Sequence, residues 1–216
     1  MSNFTRRSKE TDTMKKTLLL LAAGALCASC FTGCGTPARR IDTTTQGLTT
    51  VGDVNTRDWQ DVSARAINSL IASGALVRPD GRKVVVMINQ VKNRSGSRAR
   101  TQILTNKMRQ ALLASGKAVT TTAVGGNGPE DTATRQVREL ENDDLFNQAT
   151  VQRRGTVIAP DFSLSGEIIN QSTRAGRTTE NTFYFHVVMT DLATGLAVWE
   201  DNFEISKQET VNIFGF

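Results

Sequence analysis

The sequence predicts a single α+β domain, a mixed or antiparallel sheet of about four to five strands flanked by helices. Two observations carry this reading. Apolar residues recur at spacings of three and four in the first half of the domain, and strict alternation replaces that pattern in the last third. The order helix, strand, helix, strand, helix, then three strands lays helices over one face of the sheet and leaves a second, largely polar face available for binding.

The first helix is expected in "TRDWQDVSARAINSLIASG", where Trp59, Val62, Ala66, Ile67, Leu70 and Ile71 form one stripe and Gly74 ends it. The continuous β-branched run "KVVVMINQV", residues 83 to 91, predicts a strand buried on both faces, bounded by "RPDGR" and "NRSGS". Ile103, Leu104, Met108, Ala111 and Leu112 give helical spacing over 101–114, closed by Gly116, and the Thr-rich "KAVTTTAV" follows as a short strand. The polar stretch from Gly125 to Gly155 holds a modest helix from about Pro129 to Glu141, started by Pro129 and first-turn acids.

Three alternating segments complete the domain as an antiparallel meander. Phe162, Leu164 and Ile168 alternate with Ser163, Ser165 and Glu167; Phe183, Phe185, Val187 and Met189 with Tyr184, His186 and Thr190; Trp199, Phe203 and Ile205 with Glu200, Asn202 and Glu204. "TRAGR" and "DLATG" supply the turn glycines. Trp59 and Trp199 are expected in the core.

Upstream, "MKKTLLLLAAGAL" is a basic segment followed by an apolar run of leader-peptide length, shorter than the ~20 residues of a membrane span. "MSNFTRRSKETDT" before it is not leader-like, so Met14 is the expected start. All three cysteines lie in "CASCFTGCGT". Phe31-Thr32-Gly33-Cys34 fits a bacterial lipobox, which makes Cys34 the expected acylated residue and Cys30 the alternative. The expected layout is therefore a lipoprotein signal peptide over 1–33, a lipidated N-terminus and tether over 34–54, and a globular domain over 55–216. The tether, Thr- and Gly-rich, spans at most roughly 70 Å when extended.

Catalytic chemistry is not indicated. His186 is the lone histidine and reads as a strand-surface residue; there is no "G-x-S-x-G"; "GGNGPED" lacks the "G-K-[ST]" of a phosphate loop. Asp191, Glu200 and Asp201 read as solvated turn and edge residues. "C-x2-C" without a second ligand pair makes a poor metal site. No enzyme activity, cofactor or metal is expected. Residues 1–33 supply +3 of the net +5, so the overall charge says little about partners, and nucleic acid is not among those expected. Local patterning says more. Nine Lys or Arg lie between Arg78 and Arg109 against Asp80 alone, and six acids against two arginines between Glu130 and Asp144. These are either solvated faces or a docking surface for an oppositely charged partner.

"Val91-Lys92-Asn93-Arg94-Ser95" after the first strand, the helix ending "Leu112-Leu113-Ala114-Ser115-Gly116-Lys117", and "Asp191-Leu192-Ala193-Thr194-Gly195" followed by "Ala197-Val198-Trp199-Glu200" resemble the penicillin-binding protein activator LpoB family over residues 55 to 206. The resemblance implies a fold like the N-terminal domain of TolB. It implies an outer-membrane lipoprotein, facing the periplasm, that binds a class A penicillin-binding protein and stimulates peptidoglycan synthesis. Gly35 stands where aspartate would retain such a lipoprotein at the inner membrane of enteric bacteria, which agrees with outer-membrane sorting. An alternative from another class is a component of an outer-membrane secretion or envelope assembly related to curli-secretion lipoproteins. Asn93, Arg94, Arg98 and Arg100, concentrated between a strand and a helix, are the expected partner-binding residues. The sequence leaves the oligomeric state open.

Overall fold

In the computed structural model the chain divides into two compact units, Met1–Arg40 and Ile41–Phe216. The structure describes residues 38–43, 45–126 and 130–211. The leader, Cys27, Cys30, Cys34, Pro129 and the C-terminal "NIFGF" lie outside the described residues.

Within the second unit the elements run α1 (Thr56–Ala72), β1 (Val84–Arg94), α2 (Thr101–Ala114), β2 (Ala118–Thr120), α3 (Ala133–Glu139), β3 (Phe162–Ala175), β4 (Thr178–Asp191) and β5 (Ala197–Thr210). The five strands form one mixed sheet in the order β2-β1-β3-β4-β5. β1 runs parallel to both β2 and β3, and β3, β4 and β5 form the antiparallel meander. The alternation in the last third therefore does what it predicts; α2 lies in the crossover from β1 to its parallel neighbour β2, and α3 in the connection from β2 to β3, the intervening chain that parallel pairing needs.

α1 and α2 pack on each other and cover one face, α1 toward β5 and α2 toward β1 and β2. Beneath them lie Val84, Val86, Ile88, Val91, Leu164, Ile168, Phe183, Phe185, Val187 and Met189, all almost fully buried. Trp59 meets Phe185 edge to face at 5.8 Å, and Trp199 is buried with it in the same core. Every buried hydrophobic residue among the described residues lies between Val54 and Phe203, so a chain starting at residue 35 carries all of this core.

Several expectations are corrected. β1 is buried on one face only; Val85 and Met87 on its other side are half-buried, and among the described residues α1 and α2 pack on the opposite face. β1 also runs on past Val91 to Arg94, since Lys92, Asn93 and Arg94 pair with Glu167, Ile168 and Ile169 of the long β3. In α2, Ile103 lies outside the buried stripe and is exposed, whereas Arg109 is buried. β2 is shorter than the Thr-rich stretch suggested, and α3 begins at Ala133 and ends at Glu139. α3 buries no residue, so nothing in the core extends it beyond two turns.

Candidate functional site

On the face of the sheet opposite α1 and α2, strand register assembles the side chains row by row. Lys92, Glu167, His186 and Asn202 form one row across β1, β3, β4 and β5; Arg94, Ile169, Tyr184 and Glu204 form the next. Farther along, Thr182 bonds Ser206 and Thr178 bonds Thr210, a polar ladder across β4 and β5. The face is less polar than alternation alone implied. Val85, Met87, Tyr184 and Val188 are half-buried on it, and Ile169 and Val198 are exposed. Apolar patches set among charges suit a protein partner better than a solvated surface.

Two backbone features shape its centre. A bulge in β1 between Ile88 and Val91 shifts the register against β3. Opposite it, Gly166 lies so close to β4 that an added Cβ would stand 2.2 Å from the His186 carbonyl oxygen. The result is a shallow hollow of about 370 Å³ lined by Asn89, Gln90, Lys92, Ser165, Gly166, Glu167 and His186. Arg94 Nε sits 3.1 Å from Glu167 Oε2, and His186 Nε2 lies 3.9 Å from Glu200 Oε2. Both pairs are solvent-accessible, and the Arg94–Glu167 ion pair contributes less than about 1 kcal/mol to folding.

The four residues expected at a partner surface do not form one cluster. Asn93 is committed within the β1–α2 connection: its Nδ2 donates to the carbonyls of Ser97 and Ala99 at 3.0 and 3.1 Å, and its Oδ1 accepts from the Ser95 amide and hydroxyl. It fixes the loop. Arg94 lies on the open sheet face with Lys92. Arg98 and Arg100 stand on the far side of the loop, on the rim of a groove of about 420 Å³ between that loop and the segment from Ile41 to Arg57.

The rest of the basic stretch disperses in the same way. Arg78 and Arg82 gather around Asp80 in the α1–β1 connection, and Arg78 also reaches Asp161 at 2.6 Å. Hydrogen bonds from the Arg82 backbone and side chain hold the Asp80 carboxyl down to about 2. Arg109 donates to the Thr121 carbonyl inside the fold, where burial lowers its pKa.

Sequence reading missed how the chain from Val51 to Asp58 is fastened. Asn181 donates to the Val51 carbonyl at 3.1 Å; Lys207 donates to the Asp53 carbonyl at 2.7 Å and pairs with Asp58 at 2.5 Å. Asn55 and Asp58 close a capping box at the start of α1. The signal was present: "N-x-x-D" stands before the first stripe, and Lys207 extends the inward positions Trp199, Phe203 and Ile205 by one more step.

Among the described residues no group of three His, Cys, Asp or Glu side chains is placed to hold a metal ion. Asp191 caps its own turn through the amides of Ala193 and Thr194, and Asp201 accepts from the Ser69 hydroxyl. No described helix is long and apolar enough to cross a membrane.

The family model described as "Peptidoglycan-synthase activator LpoB" matches residues 58–205. No curated protein matches the chain. Among solved structures, the LpoB C-terminal domain from Escherichia coli aligns at 12% identity and a TM-score of 0.37, covering 69% of this chain and 99% of that one. The corresponding domain from Salmonella enterica aligns at 13% and 0.36, covering 68% and 98%. Lipoprotein GNA1162 from Neisseria meningitidis aligns at 10% and 0.33, covering 60% and 88%.

Proposed function

The chain belongs to the peptidoglycan-synthase activator LpoB family, and from that premise we propose that it binds a class A penicillin-binding protein and stimulates its synthesis of peptidoglycan. The observation that carries this reading is the extent of the family match, which runs from α1 into β5 and so takes in all of β1 to β4 and the uncovered sheet face they build. In this reading the partner docks on that face. Lys92 and Arg94 supply charge, Ile169, Tyr184 and Val198 supply apolar contact, and Asn93 holds the adjoining loop in shape. Acylation of Cys34, with Cys30 as the alternative, anchors the protein to the outer membrane with the domain in the periplasm. More than one acyl chain, each methylene worth ~0.8 kcal/mol on burial, makes such an anchor stable.

The test is glycan-strand synthesis by each class A penicillin-binding protein of the same organism, with and without the chain from residue 35 onward. A saturable rise with one enzyme supports the proposal. No rise with any of them, from a domain whose circular dichroism is that of a folded α+β protein, refutes it.

A further inference from the structure

The groove that holds Arg98 and Arg100 lies where the anchoring segment joins the domain. Its lining includes Ile41, Leu48, Asp53 and Val54 on one side and Arg98, Arg100 and Ile103 on the other, with Arg57 on the first turn of α1. Among the described residues Arg57, Arg98 and Arg100 have no ion-pair partner, and all three are exposed. Asp53 is the one acid on the lining, and its carboxylate is turned to the Val54 amide at 2.7 Å. α2, which starts beside the groove, has no acidic residue in its first turn and no side-chain cap to offset its positive end. Arg39 and Arg40 precede Ile41 directly in the sequence.

We propose that this groove is a contact site for anionic phospholipid headgroups, whose phosphates Arg57, Arg98 and Arg100 take up when the domain rests on the membrane that holds its own anchor. Charge complementarity is the first reason: three unpaired guanidinium groups around a groove match phosphates, and guanidinium binds phosphate through paired N–H donors. Chain length is the second. Seven residue steps lead from Cys34 to Ile41 and reach at most about 25 Å when extended. If Cys34 carries the lipid, the groove is the part of the domain that the anchor brings to the bilayer, at high effective concentration. Exposed Ile41, Leu48 and Ile103 add apolar contact at the headgroup level. The site is separate from Lys92 and Arg94 on the open sheet face, so the inference does not rest on the proposed enzyme partner.

The test uses the chain from residue 35 onward, which cannot be acylated in vitro, in cosedimentation with vesicles of phosphatidylcholine alone and of phosphatidylcholine containing phosphatidylglycerol. Binding is expected to the anionic vesicles and to weaken with salt. Each arginine near an anionic surface contributes about fivefold, so Arg57→Gln, Arg98→Gln and Arg100→Gln together should lower partitioning on the order of a hundredfold. Arg78→Gln with Arg82→Gln, which removes two charges at the α1–β1 connection away from the groove, serves as the control and should cost much less than the loss of two groove arginines. Circular dichroism checks that each variant is folded. Equal partitioning by the triple variant, or no preference for anionic vesicles, overturns the proposal. So does release from the vesicles by inorganic phosphate beyond that caused by sodium chloride of equal ionic strength, since that would mark a free-phosphate site.

Discussion

The two faces of the sheet are made by the same three strands of meander and the same β1, yet they differ in every physical respect. On the covered face Phe183, Phe185, Leu164, Ile168 and Met189 are sealed beneath two helices; on the open face their immediate neighbours Tyr184, His186, Ser165 and Val188 remain half-exposed. One face holds the fold together, and the other is the surface that the proposed function assigns to a partner. Substitutions on the two faces should therefore separate stability from function.

The largest effect is expected on the covered face. Phe185→Ala leaves a cavity against Trp59 and should lower unfolding free energy by about 3 to 5 kcal/mol, read from the midpoint of urea denaturation. Lys207→Met comes next. It strands the Asp58 carboxylate and the Asp53 carbonyl in a site where both ionic side chains are nearly buried. A loss of about 3 kcal/mol is expected, with faster amide exchange over residues 51–58 as the local signature. Asn93→Ala removes four hydrogen bonds from an exposed loop and should cost about 1 to 2 kcal/mol, with loosening confined to residues 95–100.

Open-face changes should invert the pattern. Lys92→Glu with Arg94→Glu should shift stability by no more than about 1 kcal/mol, because Arg94 and Glu167 form an accessible pair. The same change should weaken binding to an acidic partner surface on the order of tenfold and flatten its salt dependence. The smallest effect is a pH dependence away from both faces. Asp80, with its carboxyl lowered from 3.8 to about 2, favours the fold in its charged form. Its contribution is complete above about 3.8 and is lost as pH falls toward 2, so Asp80→Asn should lower stability slightly near neutrality, make no difference below about pH 2, and thereby remove a small part of the acid-induced loss of stability.

The covered face was legible in the sequence because burial imposes periodicity. Trp59 to Leu70, Leu104 to Leu112 and the alternating Phe, Val and Met positions of the meander all fall where their spacing puts them. The open face was less legible. A run such as "VVVM" reads as buried on both sides, since sequence records β-branching and apolarity but not whether a second layer is present. Nor does it record where a loop turns. Asn93, Arg94, Arg98 and Arg100 are eight positions from first to last, yet a strand end, a hydrogen-bonded loop and a helix start send them to three different surroundings. Residues 51–58 escaped for another reason: their partners Asn181 and Lys207 lie about 130 to 150 residues away, a pairing that no local pattern carries.

Glycan-strand synthesis by the organism's class A penicillin-binding proteins, compared between the wild-type domain and Lys92→Glu/Arg94→Glu at matched folding, tests the open face as the working surface most directly. The account predicts a saturable stimulation of one enzyme by the wild type and a clear loss in the variant. Equal stimulation by both proteins, or none by either, would contradict it.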